Sequence, residues 1–272
     1  MVKLIAMDLD GTLISSGNTV KEKDAQAIIK AHEEGAEIVI ATGRNYSELP
    51  ECVTKLPVRF FVTANGSELY DRDHDEILSL ECLSYEDACE VMERGRKNNN
   101  YAMYYVGRKV YCSTNFTQYT DKLEEGLSWK ILEKGFIRRD YLEEFSDEDK
   151  KKIMKIVLLF DSEEIRDAQR HMFDDLKERI EICASCPDNM EFNPKGVSKG
   201  KAIKKIMDIL NLRPEEIATM GDGENDIPML EITPNSFAPE KCTTGVRKTA
   251  KTILCDASDC AVSEMISILL NS

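Results

Sequence analysis

The sequence has no apolar run long enough to cross a membrane. Its longest uncharged apolar stretches are short, such as Ile156–Phe160, whereas a membrane-spanning helix needs about 18 apolar residues or more. The mostly apolar stretch Met1–Met7 is too short for a signal peptide and is followed directly by Asp8. We therefore expect no membrane partner and a cytoplasmic location.

Basic residues are scarce beside acidic ones. The 272 residues include 36 Lys and Arg against 50 Asp and Glu, which gives a formal net charge of −14. A field of this sign repels phosphate backbones, so nucleic acid is disfavoured as a partner. An anionic substrate would have to be held by a local basic cluster or by a metal ion.

The cysteines form no regular framework. There are nine of them, an odd number with scattered spacing, which is typical of a reduced cytosolic protein. Cys183 and Cys186 have the spacing of a redox or zinc pair. Because no second pair and no nearby histidine accompany them, we expect two ordinary buried thiols.

The beginning of the chain alternates strands and helices. Length alone favours about two domains, and the composition is that of a globular protein. Short apolar runs indicate buried strands, and apolar positions at helical spacing indicate helices. The predicted order is strand 3–7, helix 21–34, strand 37–41, helix 45–55, strand 59–63 and a hairpin-type turn at Asn65-Gly66. This alternation predicts a parallel α/β sheet.

The pattern changes after about residue 83 and returns near residue 198. Between these points the segments indicate a mixed α+β domain, with a hairpin around Gly107-Arg108. Its predicted elements are helix 84–98, strands 102–106, 109–112 and 155–160, helix 162–178 and strand 180–183. After it come helix 198–211, strand 217–220, a helix following Asn225 and helix 259–270. The first domain is therefore interrupted by the second.

An acidic motif, Asp8-Leu9-Asp10-Gly11-Thr12, follows the first predicted strand. Ligands of open α/β sheets bind at this end of the strands. In an extended chain Asp8 and Asp10 face the same side, and two carboxylates suit Mg²⁺. One can attack phosphorus while the other moves protons. Taken alone, the motif also fits a turn with a helix cap.

Two further features could hold phosphate. Thr42-Gly43-Arg44 ends the second strand, where a hydroxyl and backbone amides can cradle phosphate at a helix start. Lys199 opens a predicted helix and could present a point charge. Taken alone, the first is better interpreted as an ordinary strand-to-helix turn and the second as a solvated lysine.

A second acidic cluster, Gly221-Asp222-Gly223-Glu224-Asn225-Asp226, follows strand 217–220. It could complete a Mg²⁺ site, because Asp8 and Asp10 supply too few ligands alone. It lacks the twelve-residue spacing of an EF-hand calcium loop.

Together, in this order, these motifs resemble the Cof-like phosphatases of the haloacid dehalogenase superfamily. The family's D-x-D-G-T motif stands at Asp8–Thr12, its strand-end threonine at Thr42, its lysine at Lys199 and its G-D-x-x-N-D motif at 221–226. The resemblance implies a Rossmann-like parallel-sheet core, residues 1–83 and 191–272, with an inserted α+β cap domain, residues 84–190. Two departures lie at Asn235–Lys241 and Asp259–Val262, where many relatives have other segments.

The resemblance also implies the role of each site residue. Asp8 would be the nucleophile that forms an aspartyl-phosphate, and Asp10 the general acid and base. Mg²⁺ would be held by Asp8, the main-chain carbonyl of Asp10, and Asp222. The phosphate-binding residues would be Leu9 through its amide, Thr42, Gly43, Lys199 and Asn225. Two further residues would support the site: Asp226, and Arg44, which would contact phosphate or the cap.

The implied activity is Mg²⁺-dependent hydrolysis of a small phosphorylated metabolite, such as a sugar phosphate, by a monomer or small homo-oligomer. A phosphomutase on the same scaffold would return the phosphoryl group to substrate. A catalytically silent phosphate-binding regulator is the alternative from another class. The cap is expected to select the metabolite, and the tyrosines at 101, 104 and 105 lie in its core or face the substrate.

Overall fold

The computed structural model describes residues 2–15, 18–123 and 135–271. They form two compact units. The first unit takes the described residues up to Arg44, then Leu49–Ser79, then those from Ser198 onward; the second takes Asn45–Glu48 and Leu80–Val197. Because compactness alone does not define an independently folding domain, the boundaries at residues 84 and 190 stay a prediction.

An eight-stranded sheet forms the centre of the first unit, in the order β14-β13-β12-β1-β2-β3-β4-β5. The strands from β14 to β3 run parallel and β4 is antiparallel to β3. The predicted parallel α/β sheet is thus confirmed. The strands are β1 Leu4–Met7, β2 Glu37–Ala41, β3 Phe60–Thr63, β4 Glu68–Asp71, β5 Glu76–Leu80, β12 Ile217–Met220, β13 Ser236–Ala238 and β14 Thr252–Ile253.

Strand β1 lies at the centre of the sheet, with β12 on one side and β2 on the other. Its four residues are all buried, as expected of a strand covered on both faces. Met7, its last residue, is in register with Met220 and with Ile40. The carboxyl ends of the three strands are therefore level, and the segments that follow them start side by side.

Helices accompany this sheet. In α7, which begins at the buried Lys199, Ile203 and Ile206 pack in one cluster with Leu4 and Val39 of the sheet. Helices α1 and α10 contact each other. The helices of the first unit are α1 Glu22–Glu33, α2 Glu51–Thr54, α7 Lys199–Leu210, α8 Ile227–Leu230, α9 Thr244–Thr249 and α10 Ala261–Leu270.

The second unit contains a six-stranded sheet in the order β10-β11-β9-β6-β7-β8, antiparallel except for the pair β7–β8. With its helices it forms the expected α+β arrangement. The strands are β6 Tyr101–Val106, β7 Lys109–Cys112, β8 Ile137–Arg138, β9 Ile153–Leu159, β10 Ile180–Cys183 and β11 Asn189–Pro194. Among the described residues of this unit, the helices are α3 Tyr85–Lys97, α4 Phe116–Thr120, α5 Asp147–Lys150 and α6 Glu163–Arg170.

The two faces of the second sheet differ in chemistry. On one face Tyr104 and Tyr111 belong to the hydrophobic cluster that includes residues of α3. Because side chains alternate along a strand, Tyr101 and Tyr105 lie on the other face. There the ammonium of Lys155 is 2.8 Å from a carboxylate oxygen of Glu191 and 5.4 Å from the centre of the Tyr105 ring. Tyr104 therefore belongs to the hydrophobic cluster beside α3, whereas Tyr105, which is 1% exposed, is buried on the opposite face.

Several local expectations were wrong. The helix predicted at 45–55 is a 3₁₀ turn, Tyr46–Glu48, and the short α2, separated at Pro50, which has no amide to donate. Of the helix predicted at 162–178, only Glu163–Arg170 is α-helical, and a 3₁₀ segment follows it to Leu176. Cys183 and Cys186 are partly exposed rather than buried, because they lie at the end of β10 and in the turn after it. No described helix is both long and apolar enough to span a bilayer.

Candidate active site

Lys199 joins two acidic segments. Its ammonium lies 2.6 Å from a carboxylate oxygen of Asp8 and 2.6 Å from one of Asp226. Lys199 and Asp226 are wholly buried, and Asp8 is 6% exposed. Burial alone lowers the pKa of Lys199, but the charges of Asp226 and Asp8 outweigh it and raise that pKa. The lysine is therefore a fixed cation rather than a proton donor.

Three carboxylates gather beside this cation. One oxygen each of Asp8, Asp222 and Asp226 lies within 4.8 Å of the others. Burial and the charge of Asp226 raise the pKa of Asp8 well above its ordinary value, although Lys199 opposes the shift. Burial, with Asp226 next, raises the pKa of Asp222 to about 7. Carboxylates held together against their repulsion fit a divalent cation, whose oxygen ligands they would be.

The loops of the two acidic motifs interlock. The Thr12 hydroxyl donates to one carboxylate oxygen of Asp222 over 2.8 Å. A Cβ atom at Gly11, whose φ is +81°, would lie 2.3 Å from the other oxygen, so only glycine permits this approach. One carboxylate oxygen of Asp226 accepts from the amides of Asp222 and Gly223, each over 2.9 Å. Asp226 thus shapes the loop that presents Asp222.

Asp10 lies apart from the carboxylate cluster and binds Arg44. The Arg44 Nε donates to Asp10 Oδ2 over 2.7 Å, and its NH2 group donates to Asp10 Oδ1 and also to Asn18 Oδ1, the latter over 2.8 Å. Arg44 is buried, whereas the Asp10 side chain is 48% exposed. The resemblance had placed Arg44 against phosphate or the cap. Its bonds to Asp10 were not predicted.

The remaining predicted phosphate ligands also follow strand ends. Thr42 is buried after β2, and its hydroxyl accepts the Arg44 amide over 3.1 Å while its own hydrogen can still be donated. The Leu9 carbonyl accepts the amides of Leu13 and Ile14, which closes the turn after Asp8. Gly43 is part of the same Thr42–Arg44 segment. The roles of these residues toward phosphate stay a prediction.

One part of the site was missed. Asn225 donates from Nδ2 to Oδ1 of Asn65 over 3.1 Å. The sequence predicted only a hairpin-type turn at Asn65-Gly66, and a turn there does link β3 to β4. Asn65 itself was the sequence feature that could have indicated this contact, because an asparagine amide can hydrogen-bond to another segment of the chain.

Comparison with known proteins agrees with this geometry. The model of the haloacid dehalogenase-like hydrolase family matches residues 5–266. The chain belongs to this family. The 5-amino-6-(5-phospho-D-ribitylamino)uracil phosphatase YcsE of Bacillus subtilis strain 168 is 28% identical to this haloacid dehalogenase-like hydrolase over 252 residues, which cover 92% of this chain and 88% of the relative.

Solved structures share the fold of this haloacid dehalogenase-like hydrolase. A haloacid dehalogenase-like hydrolase from B. subtilis has a TM-score of 0.88 at 23% identity, covering 98% of this chain and 100% of that one. The subclass IIB sugar phosphatase BT4131 has a TM-score of 0.81 at 19% identity, covering 98% and 99%. With the family match and the phosphatase relative, the chain is a phosphoric monoester hydrolase.

Proposed function

We propose that this enzyme hydrolyses a small phosphorylated metabolite, a sugar phosphate or a similarly polar ester, with Mg²⁺ and through a phosphoryl group on Asp8. The observation that carries the proposal is the buried ion pair of Asp8 with Lys199 beside Asp222. It leaves a carboxylate nucleophile next to a fixed positive charge. The named substrates of the similar proteins, a phosphoribityl compound and sugar phosphates, support the substrate class.

In the first step a carboxylate oxygen of Asp8 attacks phosphorus. The new bond is an acyl-phosphate P–O bond, and the bond that breaks joins phosphorus to the ester oxygen. Asp10, whose side chain is half-exposed, would act as the general acid and donate a proton to that leaving oxygen. The alcohol then departs uncharged.

In the second step water attacks the phosphoryl group on Asp8. Asp10, now deprotonated, takes a proton from the water, and the P–O bond to Asp8 breaks. Inorganic phosphate is released, and both carboxylates return to their starting states. Splitting the reaction in this way replaces one difficult displacement by two easier ones.

A cation and fixed dipoles would stabilise the phosphoryl charge. Asp8, Asp222 and the main-chain carbonyl of Asp10 would hold Mg²⁺, which when bound neutralises charge on the phosphoryl oxygens. Asp226 supports the loop without needing to be a ligand, because Lys199 and two amides already occupy its oxygens. Thr42, Gly43, the Leu9 amide and Asn225 would hold the phosphoryl oxygens. These local charges offset a net charge of −14 that would otherwise repel the substrate.

Substrate choice is assigned to the inserted cap. The face of its sheet that bears Tyr101 and Tyr105 also carries the buried Lys155–Glu191 pair, and these polar groups are the ones we assign to recognition of a polar leaving group. The core residues around Asp8 handle the phosphoryl group alone.

The test is turnover of a panel of phosphate monoesters, with sugar phosphates, nucleotides and phosphorylated cofactors assayed in parallel. We expect hydrolysis that requires Mg²⁺, with the highest kcat/KM on a polar metabolite ester. Full activity in excess chelator would contradict the metal requirement. Activity that depends on an added sugar bisphosphate would point to a mutase instead.

A further inference from the structure

The turn between β3 and β4 has an unusual backbone. Its three residues all have left-handed φ angles: 48° at Ala64, 60° at Asn65 and 104° at Gly66. Glycine adopts such angles freely and asparagine tolerates them, but alanine pays a steric cost without any side-chain hydrogen bond to offset it. Strained backbone of this kind persists where the surroundings enforce it, and it is frequent at functional sites.

The segment Thr42–Arg44, which follows β2, helps to enforce this conformation. The Ala64 amide donates to the Arg44 carbonyl over 2.8 Å, and the Asn65 amide donates to the Thr42 carbonyl over 3.0 Å. The turn is thereby pinned to the segment that ends β2. Movement of the turn would displace Thr42.

The same turn packs against the start of α7. A Cβ atom at Gly66 would lie 2.5 Å from the carbonyl oxygen of Ser198, so the two backbones touch. Ser198 caps the helix and directly precedes Lys199. The turn therefore also limits where the lysine can lie.

The side chain of Asn65 reaches the second acidic motif. It is 3% exposed and accepts a hydrogen bond from the Asn225 amide over 3.1 Å. The other end of the Asn225 amide lies close to Gly223, where a Cβ atom would be 2.6 Å from its oxygen. The Asn225 amide is thus bonded to Asn65 through its nitrogen, and only a residue without a Cβ atom at position 223 leaves room for its oxygen.

We propose that Asn65 is a positioning residue for phosphoryl transfer, which fixes the amide of Asn225 while its turn aligns Thr42 and Lys199. The inference rests on the proposed function, because these three groups are the ones assigned to the phosphoryl oxygens. An ordinary hairpin turn would require neither a left-handed alanine nor a buried amide bonded to a third segment. Errors of about 1 Å in such groups can cost on the order of 100-fold in rate.

The variant Asn65→Gly tests this assignment. Glycine keeps the left-handed backbone and removes only the amide side chain. We expect kcat/KM to fall about 10- to 100-fold, with most of the loss in kcat, and inhibition by inorganic phosphate to weaken. The matched control is Asn211→Gly, which removes an exposed left-handed asparagine (φ 51°) at the end of α7 and should leave both kinetic quantities unchanged.

A double-mutant cycle distinguishes positioning from simple support of the fold. If Asn65 acts through Asn225, Asn65→Gly should add little to the loss caused by Asn225→Ala. Fully additive losses, or wild-type kinetics in Asn65→Gly, would overturn the inference. A loss of activity matched by a thermal midpoint lowered far below that of Asn211→Gly would overturn it too.

A second readout does not depend on turnover. Inorganic phosphate alone should raise the thermal midpoint of the wild-type protein, and less so that of Asn65→Gly. Equal shifts in the two proteins would contradict the assignment. If the wild-type protein bound phosphate but hydrolysed no ester, the proposed function would be wrong. The difference between the two midpoint shifts would still measure the contribution of Asn65 to phosphate binding.

Discussion

Arg44 binds both carboxylate oxygens of Asp10, with Nε 2.7 Å from Oδ2 and NH2 2.5 Å from Oδ1. The arginine is buried and is also bonded to Asn18, so it offers a rigid two-pronged donor. The proposed acid/base group is therefore oriented by a residue that the resemblance had associated with phosphate or the cap.

This geometry predicts the phenotype of Arg44→Met. Without its two donors Asp10 is free to rotate, so proton transfer should suffer more than phosphate binding. We expect kcat to fall about 10-fold or more on alkyl esters, whose leaving oxygen needs a proton, and much less on a nitrophenyl ester. Inhibition by inorganic phosphate should hardly change.

Arg94→Met is the matched control for losing a paired arginine, because Arg94 binds Asp175 in the second unit. In Arg94→Met the ratio of kcat on alkyl esters to kcat on a nitrophenyl ester should be the same as in the wild type. A large weakening of phosphate inhibition in Arg44→Met would show instead that Arg44 binds the phosphoryl group.

Removal of the buried cation should cost both activity and stability. Lys199→Met leaves Asp8 and Asp226 buried without their shared partner. Breaking a buried ion pair on one side costs about 3–5 kcal/mol of unfolding free energy. Urea denaturation without Mg²⁺ measures it, and turnover should be lost.

The control for this experiment is Lys201→Met, two residues along α7 and exposed. It should change stability by less than about 0.5 kcal/mol. A Lys199→Met protein as stable and active as that control would mean that the buried pair contributes nothing.

The raised pKa of Asp222 predicts a pH-dependent effect of metal. Burial raises this pKa from 3.8 to about 7. Between these two pH values the carboxyl of Asp222 is therefore protonated in the folded metal-free protein and ionised in the unfolded chain. Stability without metal should therefore decrease as pH rises through this window. Mg²⁺ must displace the proton, so its effect should be weaker at pH 6 than at pH 8.

The measurement is the shift of the thermal midpoint on adding Mg²⁺ at the two pH values. Asp222→Asn should remove most of the difference, since its amide carries no titrating proton. A larger Mg²⁺ shift at pH 6 than at pH 8 would have the wrong sign for this account.

The two faces of the second sheet predict different effects on selectivity. Tyr105→Phe alters the face with the Lys155–Glu191 pair, and Tyr104→Phe alters the hydrophobic core. We expect Tyr105→Phe to change the ratio of kcat/KM between two metabolite esters, with little effect on acetyl phosphate. Tyr104→Phe should leave the ratio unchanged. If both variants scaled every substrate equally, the cap would not select the leaving group.

The sequence predicted the central parts of the fold and the site for a simple reason. Asp8, Thr42 and Asp222 each follow an apolar strand, and parallel strands end at one edge. Their proximity follows from the topology without knowledge of any side-chain conformation. That Lys199 joins this site was implied only by the resemblance to a family, and its ion pair with Asp8 was not predicted.

Other features depend on interactions that no local pattern encodes. Strand β5, Glu76–Leu80, is a largely exposed edge strand, so burial left no clear alternation in its sequence. Helix α6 ends at Arg170 although no glycine or proline follows there to mark the end. The left-handed Ala64 is invisible because alanine gives no sign of a positive φ. Arg44 could reach several partners, and only packing decides that it binds Asp10.

The covalent step on Asp8 is the central claim, and trapping the intermediate tests it most directly. In Asp10→Asn a nitrophenyl ester needs no acid to leave, but the phosphoryl-enzyme lacks its base for hydrolysis. The modified peptide should therefore accumulate and be seen by mass spectrometry after acid quench. We predict phosphate on Asp8 in this variant and none when Asp8→Asn is added. Phosphate on another residue, or near-normal turnover in a folded Asp8→Asn protein, would contradict the account.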